Sequence, residues 1–259
     1  MSCPTSPLSP SSRRRGDSME PGVVLEAREA VKRFRRGLQV GPVSFRVHRG
    51  ELYALIGPNG AGKTTTIRMV LGIYRPSSGV VLVCGRPSPE ARGCAAYVPE
   101  ETAVYPRLTG WEHLVFYARL YTPPDAARKV AERAAEYTGL GGDLHRRVSE
   151  YSKGMRRRLL LGFALALETP LLVLDEPTSG LDVTASVAVR RLVRRAADEG
   201  RAVLMSSHNM LEVERLADRV AFLAHGRIID EGEPRLLVEK YGARDLEEAF
   251  VRAVGGGDA

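Results

Sequence analysis

The feature that most constrains the fold is a strand-like segment, residues 51–56, that runs without a break into Gly57-Pro58-Asn59-Gly60-Ala61-Gly62-Lys63-Thr64-Thr65. A helical pattern follows, with Ile67, Val70 and Leu71 at helical spacing. This is the spacing GxxxxGK[ST] between a strand and a helix. The glycines let the backbone curl so that successive N–H groups point inward at phosphate oxygens. The helix starting near Lys63 adds the positive end of its dipole. The spacing therefore predicts a nucleotide-phosphate cradle formed by Gly57, Pro58, Asn59, Gly60, Ala61 and Gly62. Lys63 reaches the β- and γ-phosphates, the Thr64 hydroxyl binds Mg²⁺, and Thr65 bonds the α-phosphate. A merely structural glycine turn is the alternative, and the flanking strand and helix speak against it.

Residues 23–27, 43–47, 79–84 and 94–98 also read as strands. Residues 110–121 and 125–137 are helical, and a third helix lies within 151–167. Beyond it come a wholly apolar strand at 171–174, a helix at 183–199, a strand at 202–206, a helix at 210–217, a hairpin around Gly226 and a closing helix at 246–254. Strands alternating with helices predict an α/β fold with a largely parallel sheet. Residues 1–20, rich in Ser, Pro and Arg, predict a flexible tail. Met19 is an alternative start. The expected division is a nucleotide-binding core from 21–99 and 168–235, an inserted helical segment at 100–167, and a C-terminal helix with a flexible end at 236–259.

The chain has 259 residues and a formal net charge of +7, from 38 Lys plus Arg against 31 Asp plus Glu. Five of those cations are lysines, at 32, 63, 129, 153 and 240. The basic balance raises the expectation of an anionic partner without choosing among nucleotide, nucleic acid and membrane surface. The three cysteines make no even disulfide framework and no CxxC pair, which predicts a reducing compartment and no structural metal. No apolar run approaches the ~20 residues that cross a bilayer. A membrane role therefore requires a separate chain.

Leu171-Leu172-Val173-Leu174 ends in Asp175-Glu176. Ligands of parallel sheets bind outside the carboxyl ends of the strands. There Asp175 is expected to hold Mg²⁺, and Glu176, one residue on, to face the γ-phosphate as general base for water. His208 follows the strand at 202–206 at the same edge, where a γ-phosphate contact is expected.

Together these residues resemble the nucleotide-binding subunits of ATP-binding cassette (ABC) transporters over roughly residues 23–254. The discriminating stretch is Tyr151-Ser152-Lys153-Gly154-Met155, which is similar to the family signature Leu-Ser-Gly-Gly-Gln. Thr178-Ser179-Gly180-Leu181-Asp182 resembles the loop that follows the acidic strand, and Ser206-Ser207-His208 the switch histidine. Phe34 resembles the aromatic that stacks on adenine. The resemblance implies a P-loop NTPase core with N-terminal antiparallel β elements and an inserted α-helical subdomain. It implies ATP and Mg²⁺ as cofactors, with Thr64, Glu100 and Asp175 around the metal, and catalysis by Glu176, His208 and Lys63. ATP would be sandwiched head to tail between one copy's phosphate loop and Ser152, Gly154 and Asp182 of a second nucleotide-binding domain. Ser152 and Gly154 open a helix, a ready anion site.

Two motifs depart from the common pattern. Lys153 and Met155 stand where Gly and Gln are commonest, in a form similar to the exporter branch with separate transmembrane subunits. Asp245-Leu246-Glu247-Glu248-Ala249-Phe250 resembles that branch too. Lys153 is expected to bring charge near the partner's phosphates. Glu100, in Tyr97-Val98-Pro99-Glu100, stands where Gln is usual. An ionised Glu offers only acceptors, so it is expected to bind Mg²⁺ directly and to repel Glu176.

The resemblance further implies that residues 101–108, with Val104, Tyr105 and Leu108, form the groove for a helix of the membrane subunit, at the cytoplasmic face of the cell membrane. The expected function is the ATP-hydrolysing motor of a transporter, leaning to export, with no direct nucleic-acid partner. A soluble ABC-type ATPase acting on nucleic acid, ribosomes or cluster assembly is the alternative. A single phosphate loop and the absence of a long coiled coil count against it. Arg156, Arg157 and Arg158, the main basic run outside the tail, are expected on a solvated or inter-subunit face. No Asn-Lys-x-Asp motif supports a GTPase.

Overall fold

β1 (Val23–Arg33) and β2 (Gln39–His48) form an antiparallel hairpin whose second strand alternates inward Val43, Phe45 and Val47 with exposed Ser44, Arg46 and His48. This computed structural model describes residues 19–35, 37–101 and 104–255. The expected tail, apart from Met19 and Glu20, lies outside the described residues, as do residues 256–259 of the expected flexible end. β1 runs six residues past the predicted 23–27, from position 28 to 33. Register shifts after Ala27 and Ala30, with Glu29 at φ 48°, absorb the polar residues that break the apolar pattern.

β3 (Leu52–Ile56) is buried at every residue and leads through the glycine loop to α1 (Lys63–Val70). β4 (Ser78–Val83) and the short β5 (Arg86–Pro87) complete a four-stranded antiparallel sheet in the order β2-β1-β4-β5. β6 (Ala95–Val98) then opens a helical stretch of α2 (Gly110–Tyr121), α3 (Pro124–Thr138) and α4 (Lys153–Ala166). β7 (Leu171–Asp175), α5 (Val183–Asp198), β8 (Ala202–Ser207), α6 (Met210–Glu214), β9 (Arg219–Ala224) and β10 (Arg227–Gly232) follow. α7 (Pro234–Lys240), which has no counterpart in the sequence reading, and α8 (Leu246–Gly255) close the described chain.

The second sheet has six strands in the order β10-β9-β3-β8-β7-β6, all parallel except the β9–β10 hairpin. Its central strands are apolar up to their carboxyl ends because both faces are covered. Leu52, Ala54 and Ile56 of β3, with Leu172 and Leu174 of β7, pack toward α4, α5 and α8. Tyr53, Leu55, Leu171 and Val173 pack toward α1 and the antiparallel sheet. The helical insertion has its own apolar cluster, with Leu114, Ala118, Ala131, Ala134, Leu159 and Phe163. α4 belongs to both bodies, since its Leu161 and Leu165 face the parallel sheet. The expected boundary at 167 therefore falls at the end of a shared helix.

Within the arginine run on α4, Arg156 and Arg158 are half-buried, whereas Arg157 departs from the expected solvated face. Arg157 is fully buried and donates to the carbonyls of Pro99 and Glu100. Arg158 donates to the carbonyls of Thr138, at 2.9 Å, and Gly139, at 2.6 Å, where α3 ends. Arg156 reaches the Ser149 carbonyl at 3.4 Å. The run ties α4 to its own chain because helix ends and loops leave carbonyls to be satisfied.

Candidate functional site

Register brings four strand ends to one edge. Ile56 of β3 lies opposite Ser207 of β8, Asp175 of β7 opposite Ser206, and Val98 of β6 opposite Leu174. The strands are parallel, so the glycine loop, Glu100, Glu176 and His208 all emerge together, where open parallel sheets bind ligands. They line a cleft of about 460 Å³ with Phe34, Pro58, Asn59, Gly60, Gly62, Lys63, Thr64 and Thr65. Leu38, Gln39, Val40 and Ser179 also line it. No signal pointed to the first three, whereas Ser179 lay in a loop already singled out.

Gly57, Ala61 and Asp175 are not among the lining residues. Ala61 and Asp175 are buried, at 4% and 3% exposure. Gly62 caps α1 at φ 109°, and a Cβ there would lie 2.9 Å from Val40 Cγ1. Both facts require glycine at the turn. Phe34 sits half-buried at the lip, edge-on to Tyr74 with centroids 5.6 Å apart, and Lys32 Nζ lies 6.0 Å from its centroid.

Lys63 Nζ donates to the Gly57 carbonyl at 2.6 Å and lies 3.3 Å from Glu176 Oε1. Glu176 Oε2 is 2.8 Å from His208 Nδ1. A carboxylate only accepts, so Nδ1 carries the hydrogen in this contact and Nε2 points elsewhere as the free ring nitrogen. Glu176 thus joins a cation and an imidazole. The residue holds φ 47°, with its backbone N–H donating to Ser206 Oγ at 3.0 Å. Ser206, fully buried, in turn donates to Asp175 Oδ1 at 2.5 Å. One hydroxyl therefore sets both acids, a role that sequence reasoning missed because Ser-Ser before a histidine looks like a generic strand end.

Glu100 is exposed and accepts from Ser179 Oγ at 3.5 Å. Lys63 sits against Glu176, and Arg157 lies beneath the Glu100 backbone, so a cationic group accompanies each of the two acids. Burial pulls the Arg157 guanidinium below its ordinary pKa, while Glu100 and Asp175 oppose that shift. Burial and the nearby Asp175 push the Tyr97 hydroxyl up to about 12.

Thr64, Asp175 and Glu100 would offer oxygen donors alone, the chemistry that suits a hard cation. Among the described residues no group of three or more His, Cys, Asp or Glu side chains could hold a metal by itself. Mg²⁺ is usually held by one or two carboxylates together with substrate phosphates, a chemistry these oxygens would suit.

Ser152, Gly154 and Asp182 lie outside the cleft lining. Ser152 caps α4, accepting from Met155 N–H at 3.2 Å, and Asp182 caps α5, accepting from Ala185 N–H at 2.8 Å. A Cβ at Gly154 would lie 2.6 Å from Ala185 Cβ, so the glycine lets α4 and α5 touch. A Cβ at Gly180 would meet Lys153 Nζ at 2.4 Å. The Lys153 ammonium thus rests on its own chain's 178–182 loop.

The sequence pattern of the family described as "ABC transporter" matches residues 40–179, more than half of the chain. The chain belongs to the ABC transporter family. It is an ATP-binding subunit of that family and an ATPase. The Nod factor export ATP-binding protein I of Burkholderia lata is 38% identical over 235 residues, covering 89% of this chain and 77% of that protein. A solved ATP-binding subunit of an ABC transporter superposes with a TM-score of 0.78 at 31% identity, covering 89% of this chain and 99% of that one. CbiO1 of Clostridium perfringens, part of the ABC transporter complex CbiONQ, gives a TM-score of 0.77 at 25% identity, over 85% and 92% of the two chains. The α/β architecture expected of an ABC subunit is thereby found in both sheets.

Proposed function

We propose that this ABC subunit is the motor of an exporter, hydrolysing ATP between the phosphate loop of one copy and Ser152 and Gly154 of a second. The observation that carries this reading is the split of the site. Lys63, Glu100, Glu176 and His208 share one cleft, whereas the helix N-terminus at Ser152, exposed and suited to an anion, lies outside it. Export is supported by the Burkholderia relative, whose name states that role.

In the working cycle Lys63 exchanges the Gly57 carbonyl and Glu176 for phosphate oxygens. The freed Glu176 takes a proton from the attacking water, and His208, oriented through Nδ1, presents Nε2 to the reacting centre. Thr64, Asp175 and Glu100 would hold Mg²⁺, which when bound neutralises charge on the phosphates. Phe34 would stack on adenine at the cleft lip.

No helix among the described residues is long and apolar enough to cross a membrane, and in this reading separate transmembrane subunits form the transport path. A groove of about 500 Å³ is lined in part by Tyr97, Pro99, Tyr117, Tyr121 and Phe163, and the exposed Tyr105 stands 6.2 Å from Tyr117, centroid to centroid. This groove supports docking of such a subunit at the cytoplasmic face of the membrane, and no nucleic acid is required. The test is Glu176→Gln. Turnover should vanish while ATP drives a dimer visible by size-exclusion chromatography, and a tagged chain should recover a polytopic membrane protein. Normal hydrolysis by the variant removes Glu176 as base. Recovery only from the soluble fraction with nucleic acid favours the soluble ABC-type alternative.

A further inference from the structure

Arg157 is the largest side chain with essentially no exposed surface among the described residues. Burying a guanidinium is unfavourable unless its donors are met, and an apolar residue would fill the same space more readily. Its two terminal nitrogens donate to the consecutive carbonyls of Pro99 and Glu100, while Nε has no partner among the described residues. Two adjacent carbonyls gripped by one planar fork fix both the position and the orientation of the peptide between them, which a lysine's point charge does not. That peptide leads into Glu100, whose side chain lines the nucleotide cleft and bonds Ser179. The same helix that carries Arg157 in its second turn carries Ser152 as its cap and Gly154 in its first.

We propose that Arg157 is a positioning residue that fastens the Pro99–Glu100 backbone to α4, so that a displacement of Glu100 on nucleotide binding is carried to the first turn of that helix. This rests on the reading that the cleft binds ATP and that Ser152 and Gly154 meet the nucleotide of a second copy. The apolar contacts of α4 serve both bodies of the subunit, and the fork at 157 adds a specific tie to one loop. The two halves of a shared site would then report to each other through one side chain.

The test is hydrogen exchange of the full chain, dilute enough to stay monomeric, with and without Mg²⁺–ATP. In the native chain ATP slows exchange at residues 57–66 and also at 152–158. Arg157→Gln keeps the slowing at 57–66 and reduces that at 152–158 about tenfold, the scale set by losing hydrogen bonds to a charged group. Arg157→Lys recovers part of it. Unchanged protection of β7 and β8 reports an intact fold. If Arg157→Gln lost that protection, Arg157→Lys carries the same comparison with an intermediate response. Native-like slowing at 152–158 in a folded Gln variant overturns the proposal. So does a native chain protected at 57–66 but not at 152–158. Absence of protection at 57–66 in the native chain overturns the ATP reading itself, and the proposal with it.

Discussion

Replacing Gly154 by alanine asks whether the glycine serves only an incoming phosphate or also the packing of its own chain. The added Cβ would lie 2.6 Å from Ala185 Cβ. Carbon atoms rest at about 3.5–4.0 Å, so α4 and α5 must part by roughly 1 Å there. Overpacking of this kind costs about 1–3 kcal/mol. Alanine is favoured over glycine in a helix by up to about 1 kcal/mol, and less at a position only two residues inside the helix. The steric cost wins, leaving a net loss of about 1–2 kcal/mol, or roughly 2–8 °C in Tm for a chain of this size. The deciding assay is a four-member cycle of thermal melts without nucleotide. Ala185→Gly alone should cost up to about 1 kcal/mol in helix propensity. The double variant should be more stable than the sum of the singles by about 1 kcal/mol or more, because the methyl at 154 then has room. An unchanged melting temperature for Gly154→Ala, or additive singles, would refute the packing role and leave phosphate access as the only reason for glycine there.

Ser206→Ala should lower turnover about tenfold or more and cost roughly 1–3 kcal/mol, since it orphans Asp175 Oδ1 and the Glu176 N–H together; native kinetics would show that Ser206 does not set the acids. Lys63→Ala should weaken nucleotide affinity about tenfold or more by removing a charge-assisted contact, which calorimetry can measure, and unchanged affinity would contradict its phosphate role. His113 is buried, with neither ring nitrogen partnered among the described residues, and burial lowers its pKa to about 4. The unfolded chain takes up this proton below about 6.5 while the folded one does not. Stability should therefore fall as pH drops from about 6.5 to about 4, by no more than roughly 3 kcal/mol from this group. His113→Leu should flatten that part of the stability profile, and an unaltered slope would assign it to other groups.

The phosphate loop, the acidic strand end and the histidine were legible because each sits at a strand end whose apolar run and breaker residues are local. Their convergence follows from parallel register alone. The burial of Arg157 is not legible locally because its partners lie far away in sequence, the side chain reaching back 58 residues to the Pro99 carbonyl. A charge meets solvent more often than backbone carbonyls, so local pattern favours the wrong answer. β1 was shortened because Arg28 and Glu29 interrupt its alternation, and bulges that absorb such residues leave little local trace. α7 escaped because it spans seven residues and opens on Pro234, which reads equally as a turn. Gly154 was read through the signature motif, whereas its contact with Ala185 exists only once α4 lies on α5.

Glu176 keeps a left-handed backbone, φ 47°, that a glycine or an asparagine would adopt with less strain. In the language of selection, folding and chemistry pull apart at this position. Drift under selection for stability alone would draw it toward those residues, because a strained functional site is retained only while its function is tested. A descendant of this chain released from hydrolysis is therefore expected to record that release first at 176, long before its buried strands change.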